Sequence, residues 1–169
     1  IYGAIAVLIG SVAIKEFILK PQAAASRAAR ALELENAVKA LEDGRYEEAE
    51  AAFKAIVDGG SKLAPLAANY LAQTQLEGRG DAAAAADTLA AIGGTEGGPY
   101  ERLALLKSAY FRADTLTMAE LEATLGALVN EDTALGALAR ELIAAKAFAD
   151  GDIARARTEY SRLKFDAAA

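Results

Sequence analysis

The chain has 169 residues, of which 54% are hydrophobic and only 7% aromatic, and its 18 basic and 24 acidic side chains give a net charge of −6. Nucleic-acid binders usually carry a basic face that neutralises phosphates, so this charge argues against a nucleic-acid partner. The absence of histidine and cysteine excludes Ser-His-Asp and Cys-His nucleophiles and leaves only carboxylate sites for a metal. We therefore predict a binding protein rather than an enzyme, with no cofactor and no metal.

An uncharged apolar segment, IYGAIAVLIGSVAI, occupies residues 1–14 and is followed by Lys15 and Lys20. A membrane-spanning helix needs about 20 apolar residues, whereas about 10–14 also suit a buried helix of the core. The first residue is Ile1 and not methionine, so we expect the segment to be truncated at its start. We predict a transmembrane anchor in contact with the lipid bilayer over residues 1–20, with a buried helix as the alternative.

Residues 21–169 form the second predicted domain, in which an apolar pattern recurs every 35 or 36 residues. Four triplets have i, i+4, i+7 spacing, which places each triplet on one face of a helix. They are Ala49-Phe53-Ile56, Ala85-Leu89-Ile92, Leu121-Leu125-Leu128 and Ala156-Tyr160-Leu163. Gly44, Gly80 and Gly151 stand ahead of three triplets and are suited to end the preceding helix. The third triplet lacks this glycine, and its turn is assigned to Asp114 with Thr115 or Thr117 as the cap.

Each triplet belongs to the second helix of a predicted helical hairpin. The first helices are predicted over residues 23–42, 62–77, 99–112 and 132–149. The second helices are predicted over residues 46–57, 81–91, 117–129 and 152–165. Hairpins of this length match the tetratricopeptide unit, whose signature the stretch DGRYEEAEAAFKAI resembles. We predict an all-α fold: a right-handed tetratricopeptide-like solenoid of about four helical hairpins behind an N-terminal transmembrane helix. A generic alanine-rich helical bundle is the alternative.

The complete layout is similar to the YfgM-like family of bacterial single-pass inner-membrane proteins of the ancillary Sec translocon type. The resemblance rests on Tyr2-Gly3 ahead of the apolar span and on the stretches RLALLKSAYFRAD and LARELIAAKAFADGDIARARTEYSRL. It implies a periplasmic repeat domain that binds chaperones, the translocon or secreted clients. The basic residues Lys15, Lys20, Arg27 and Arg30 instead favour a cytoplasmic domain through the positive-inside tendency. We follow the resemblance.

Two functions from different classes are compatible with this layout. The first is a membrane-tethered scaffold for protein–protein interactions. The second is an accessory or structural subunit of a stable membrane complex, such as a respiratory, photosynthetic or secretion assembly. The small residues Ala4, Ala6, Gly10 and Ala13 would allow close packing of the anchor against other spans.

A partner-binding groove is predicted on the first helices of the hairpins, where tetratricopeptide stacks usually bind peptides. Counting from Ala49 as the signature alanine places eight positions in it. They are Leu34, Val38, Tyr70, Thr74, Leu106, Tyr110, Glu141 and Ala145. This mostly apolar groove with tyrosines suits an apolar peptide or a partner helix. Ordinary packing between repeats is the alternative for individual positions such as Leu106 and Val38.

Overall fold

The computed structural model describes residues 20–166, and every regular element in this range is helical. The α-helices are α1 (Lys20–Glu42), α2 (Tyr46–Asp58), α3 (Ala64–Arg79), α4 (Ala82–Ile92), α5 (Pro99–Arg112), α6 (Met118–Leu125), α7 (Ala134–Ala149) and α8 (Ile153–Asp166), and a 3-10 helix follows α6 over Gly126–Asn130. The all-helical prediction is confirmed. Apart from the end of α6, each predicted helix begins and ends within three residues of the observed one.

The helices pack as hairpins placed side by side. Each helix contacts the next one along the chain, and the alternate helices α1 and α3, α3 and α5, and α5 and α7 also contact each other. Because every hairpin touches its neighbours in sequence order, the arrangement is consistent with a helical repeat.

The predicted transmembrane anchor over residues 1–20 lies outside the described residues, except for Lys20 at the start of α1. Between residues 20 and 166, none of the helices combines the length and the hydropathy that a membrane crossing requires.

The predicted triplets supply the interior between the hairpins. Phe53, Leu89 and Leu125, which occupy the middle position of the first three triplets, are all 0% exposed. The ring of Phe53 stacks on that of Tyr70, with the centroids 5.3 Å apart and the planes 10° from parallel. The fourth triplet differs, because Tyr160 at the same position is 44% exposed. Within the described residues, no further hairpin packs on the outer side of α8.

The turns between paired helices follow the sequence pattern. Gly44, Gly80 and Gly151 adopt left-handed φ values of 72°, 66° and 83°, a region that side chains with a Cβ rarely occupy. In the third hairpin Thr117 caps α6: its hydroxyl accepts from the Glu120 N–H at 3.3 Å, and the Glu120 carboxylate accepts from the Thr117 N–H at 2.8 Å. This reciprocal capping box satisfies two backbone donors at once and replaces the glycine turn.

The second helix of the third hairpin is shorter than predicted. It ends at Leu125, since Gly126 has φ 50° and ψ −128° and breaks the α-helical path. The chain continues as a 3-10 turn, whose carbonyls are used by the next hairpin: the Arg140 guanidinium donates to the Val129 and Glu131 carbonyls at 2.9 and 3.0 Å. Arg102 of α5 pairs with the Glu131 carboxylate. These contacts join the turn to both neighbouring first helices.

The Gly93–Gly94 pair provides a test of how closely the second and third hairpins approach. A Cβ added to Gly93 would lie 2.8 Å from the backbone N and Cα of Leu105, whereas one added to Gly94 would meet nothing within 4 Å. We expect Gly93→Ala to lower the free energy of unfolding by about 2 kcal/mol, because backbone must move to accept the methyl group. The matched control Gly94→Ala should change it by less than about 0.5 kcal/mol. Urea unfolding followed by circular dichroism measures both, and equal effects would contradict the close contact.

The capping box predicts a pH-dependent contribution to stability. Thr117→Ala should cost about 1 kcal/mol near neutral pH, since an N-terminal donor of α6 loses its acceptor. Hydrogen bonds from the Thr117 N–H and hydroxyl hold the pKa of Glu120 below its ordinary value of 4.5. A carboxyl group whose pKa is lower in the folded state than in the unfolded state stabilises the fold fully at pH values above its unfolded-state pKa. This contribution is lost as the pH falls through the lowered pKa of the folded state. The stability difference between the wild type and Thr117→Ala should therefore shrink in acid. In the Glu120→Gln background, where this side chain cannot titrate, the stability difference caused by Thr117→Ala should not change with pH.

Candidate protein-binding surface

The structure divides the eight predicted groove positions into a packed set and an exposed set. Leu34, Val38 and Tyr70 are half-buried, and all three pack against the core cluster that contains Phe53. Their side chains therefore already bury much of their apolar surface within the first two hairpins. Any partner would contact only their outer edges.

Thr74 and Leu106 lie in the interior, with 1% and 2% of their surface exposed. The Thr74 hydroxyl donates to the Tyr70 carbonyl one turn earlier at 2.8 Å, and Leu106 belongs to the core between α5 and α7. Both residues stand on first helices that touch neighbouring first helices, so the seam between hairpins covers them. This removes Thr74 and Leu106 from the accessible surface, and the packing alternative fits Leu106.

Tyr110, Glu141 and Ala145 are the exposed set. Tyr110 stands near the end of α5, and its hydroxyl donates to the carbonyl of Leu138 on α7 at 3.3 Å. The structure thus brings the third and fourth first helices together at one surface, where 42% of Tyr110 remains exposed.

Two apolar residues that the sequence pattern missed extend this surface along α7. Leu138 is 41% exposed and Phe148 is 63% exposed. With Glu141 and Ala145 they have i, i+3, i+7, i+10 spacing, so the four side chains share one face of the helix. We refer to Leu138, Glu141, Ala145 and Phe148 as the α7 stripe. Helical spacing could have identified both residues, since Leu138 lies three residues before Glu141 and Phe148 lies three residues after Ala145.

Electrostatics distinguish Glu141 from the other charged residues of this region. Burial, followed by the negative charge of Glu141 and that of ionised Tyr160, raises the pKa of Tyr110. This places the phenol, the carboxylate and the second phenol near one another, on three different helices. By contrast, Lys146 on α7 is engaged by Asp150 at 2.9 Å, and Arg155 on α8 pairs with Glu122.

The Glu141 carboxylate accepts no hydrogen bond and forms no ion pair within the part of the chain that the structure describes. It stands between Leu138 and Ala145 on the α7 stripe. The surface therefore combines exposed apolar groups with one negative charge that no described side chain neutralises. Exposed apolar groups beside a polar anchor are suited to contact with a partner.

No known protein family, curated protein or solved structure matches this chain.

The division into packed and exposed positions makes opposite predictions for two single substitutions. Leu106→Ala should lower the free energy of unfolding by about 3 kcal/mol, because it leaves a cavity between α5 and α7. Phe148→Gln should change it by less than about 0.5 kcal/mol, since that side chain is mostly in water and glutamine is a good helix former. Urea unfolding of the full-length chain in mild detergent checks both. A large loss of stability in Phe148→Gln would mean that Phe148 is a core residue.

Proposed function

We propose that this chain is a membrane-tethered scaffold protein whose tetratricopeptide-like repeat domain binds another protein through the α7 stripe. The observation that carries the proposal is the exposure of Leu138 and Phe148 on one helical face. Single exposed apolar residues are common on protein surfaces, but an aligned set next to a tyrosine is typical of a protein interface. A partner that covers this face would remove those side chains from water.

Three observations support the finer assignment to a right-handed tetratricopeptide-like solenoid. The triplets recur every 35 or 36 residues. Glycines with left-handed φ precede three of the second helices. The first helices of successive hairpins also contact one another, as expected when the hairpins stack along one axis.

The resemblance to the YfgM-like family is the basis for the proposed location and partners. The apolar residues 1–20 would anchor the chain in the bacterial inner membrane. The repeat domain would lie in the periplasm, where chaperones, the translocon or secreted clients are its protein partners. The absence of histidine and cysteine and the net charge of −6 agree with a protein partner rather than a substrate or nucleic acid.

A second function, as an accessory subunit of a stable membrane complex, is favoured by the outer face of α8. Ile153 and Tyr160 on that helix are 49% and 44% exposed, although the residues equivalent to Tyr160 in the other three hairpins are fully buried. A permanent neighbour would cover these two side chains. Because Tyr160 also lies near Glu141 of the α7 stripe, the stability of the complex rather than the residues involved distinguishes the two functions.

Purification from native membranes distinguishes the two functions. The full-length chain with a C-terminal tag is recovered in mild detergent, washed with high salt, and its co-purifying proteins are quantified by mass spectrometry. For a scaffold we expect translocon components, chaperones or secreted clients that diminish with salt. One defined complex at fixed stoichiometry that survives the wash would identify an accessory subunit instead.

Paired substitutions test whether the α7 stripe is the surface involved. The double variant Leu138→Gln/Phe148→Gln should lower partner recovery by about tenfold, because two exposed apolar anchors contribute about 1 kcal/mol or more between them. Leu32→Gln on α1 is the matched control, as Leu32 is 56% exposed and lies in the first hairpin. Equal recovery with the double variant and the control would place the interface elsewhere.

A further inference from the structure

Glu141 restricts which partner can cover the α7 stripe. Its carboxylate stands among exposed apolar side chains and forms no ion pair with any side chain that the structure describes, those of residues 24–163. A partner that buries Leu138 and Phe148 would also remove water from Glu141. Burying an unpaired carboxylate is costly, and the cost falls when a cationic group with hydrogen-bond donors takes the place of water.

The surroundings of Glu141 favour a cation at this point. Tyr110 on α5 reaches the same part of α7, where its hydroxyl donates to the Leu138 carbonyl one turn before Glu141, and a phenol ring adjacent to a bound cation adds a favourable cation–π interaction. On the same hairpin, Lys146, Arg155 and Arg162 pair with Asp150, Glu122 and Glu159 rather than with Glu141. The net charge of −6 also favours a basic ligand over an acidic one.

The form of the stripe favours a helix as the occupant. Leu138 and Phe148 are ten residues apart on α7, which corresponds to about 15 Å along the helix axis. Three turns of a partner helix match this length and present side chains at the same spacing, while their own backbone groups remain hydrogen-bonded. An extended peptide would find no sheet edge here to satisfy its backbone.

Two-fold self-pairing of the stripe is disfavoured by the same charge. If a second copy packed its α7 stripe against the first, two Glu141 carboxylates would approach each other in a surface that excludes water. Like charges in that setting destabilise the complex.

We propose that the α7 stripe binds an amphipathic helix of the partner in which a lysine or arginine has an apolar residue one turn away on one side and another about two turns away on the other, matching the distances from Glu141 to Leu138 and to Phe148. The basic side chain pairs with Glu141 beside Tyr110, and the flanking apolar residues cover Leu138 and Phe148. This inference rests on the proposed scaffold function and specifies the chemistry of its partner.

Selection from a displayed library of helical peptides tests the proposal, with the full-length protein in lipid nanodiscs as bait. We expect wild-type bait to enrich sequences with Lys or Arg at the centre of an apolar face. Glu141→Lys bait should enrich Asp or Glu at that position. Leu138→Gln/Phe148→Gln bait should enrich neither, whereas Leu32→Gln bait should behave as the wild type.

The outcomes separate this inference from the scaffold proposal. Two outcomes would overturn the basic-helix assignment and leave the docking surface intact. In both, enrichment requires Leu138 and Phe148. The enriched peptides either show no preference for a charged residue, or show the same preference for Lys or Arg with Glu141→Lys bait as with the wild type. Failure to enrich any peptide, or enrichment unaffected by the double variant, would overturn both. A concentration-dependent dimer in sedimentation that is lost in the double variant would assign the stripe to a second copy and overturn the basic-helix assignment.

Affinities of the most enriched peptide give the quantitative test. Replacing its central basic residue by glutamine should weaken binding to the wild type by about fivefold, as expected for a partly exposed ion pair. The same replacement should have little effect on binding to Glu141→Gln. An equal loss for both proteins would show that the basic residue does not interact with Glu141.

Discussion

The structure depends on the burial of one large apolar side chain from each of the first three second helices between two successive hairpins. Phe53, Leu89 and Leu125 perform this role, and each is shielded completely from water. An isolated hairpin could not bury such a residue, because its outer side would remain in water. Stability in this architecture therefore comes from neighbouring hairpins, and each unit supports the one before it.

Close approach between helices is the second requirement, and small residues meet it. Ala49 and Ala85, which open the first two triplets, are 0% exposed, as is Ala104 on α5. Gly93 allows the chain to pass within contact of the Leu105 backbone. The alanine content of the chain thus has a packing role as well as a helix-forming one. Small side chains bring the hairpins close, and one larger side chain per repeat fills the space that remains.

The candidate binding surface follows from the same pattern at the fourth hairpin. There Tyr160 on the second helix stays exposed, although the corresponding residues of the earlier second helices are buried, and the α7 stripe on the first helix is exposed as well. Apolar residues that serve the interior elsewhere are thereby available to a partner. The carboxylate of Glu141 adds a requirement for charge complementarity, which improves discrimination between partners more than it increases affinity.

The helices, their pairing and the interior positions of the first three hairpins can be derived from the amino-acid sequence alone. Local chemistry is sufficient for these features, since helical periodicity, left-handed glycines and N-terminal caps act within a few residues of one another. The break at Gly126 was missed, because it depends on Arg140 and Arg102 from other helices, which hold the turn that follows.

Only the tertiary structure decided which groove positions are accessible. The repeat spacing places Leu106 and Tyr110 on the same helix one turn apart. It therefore predicts the same groove-facing position for both residues. Their exposures of 2% and 42% differ because accessibility depends on how closely α3, α5 and α7 approach, a distance set by side chains far apart in the chain. Helical spacing could have placed Leu138 and Phe148 on the face of Glu141, but their exposure to solvent follows from the same long-range packing.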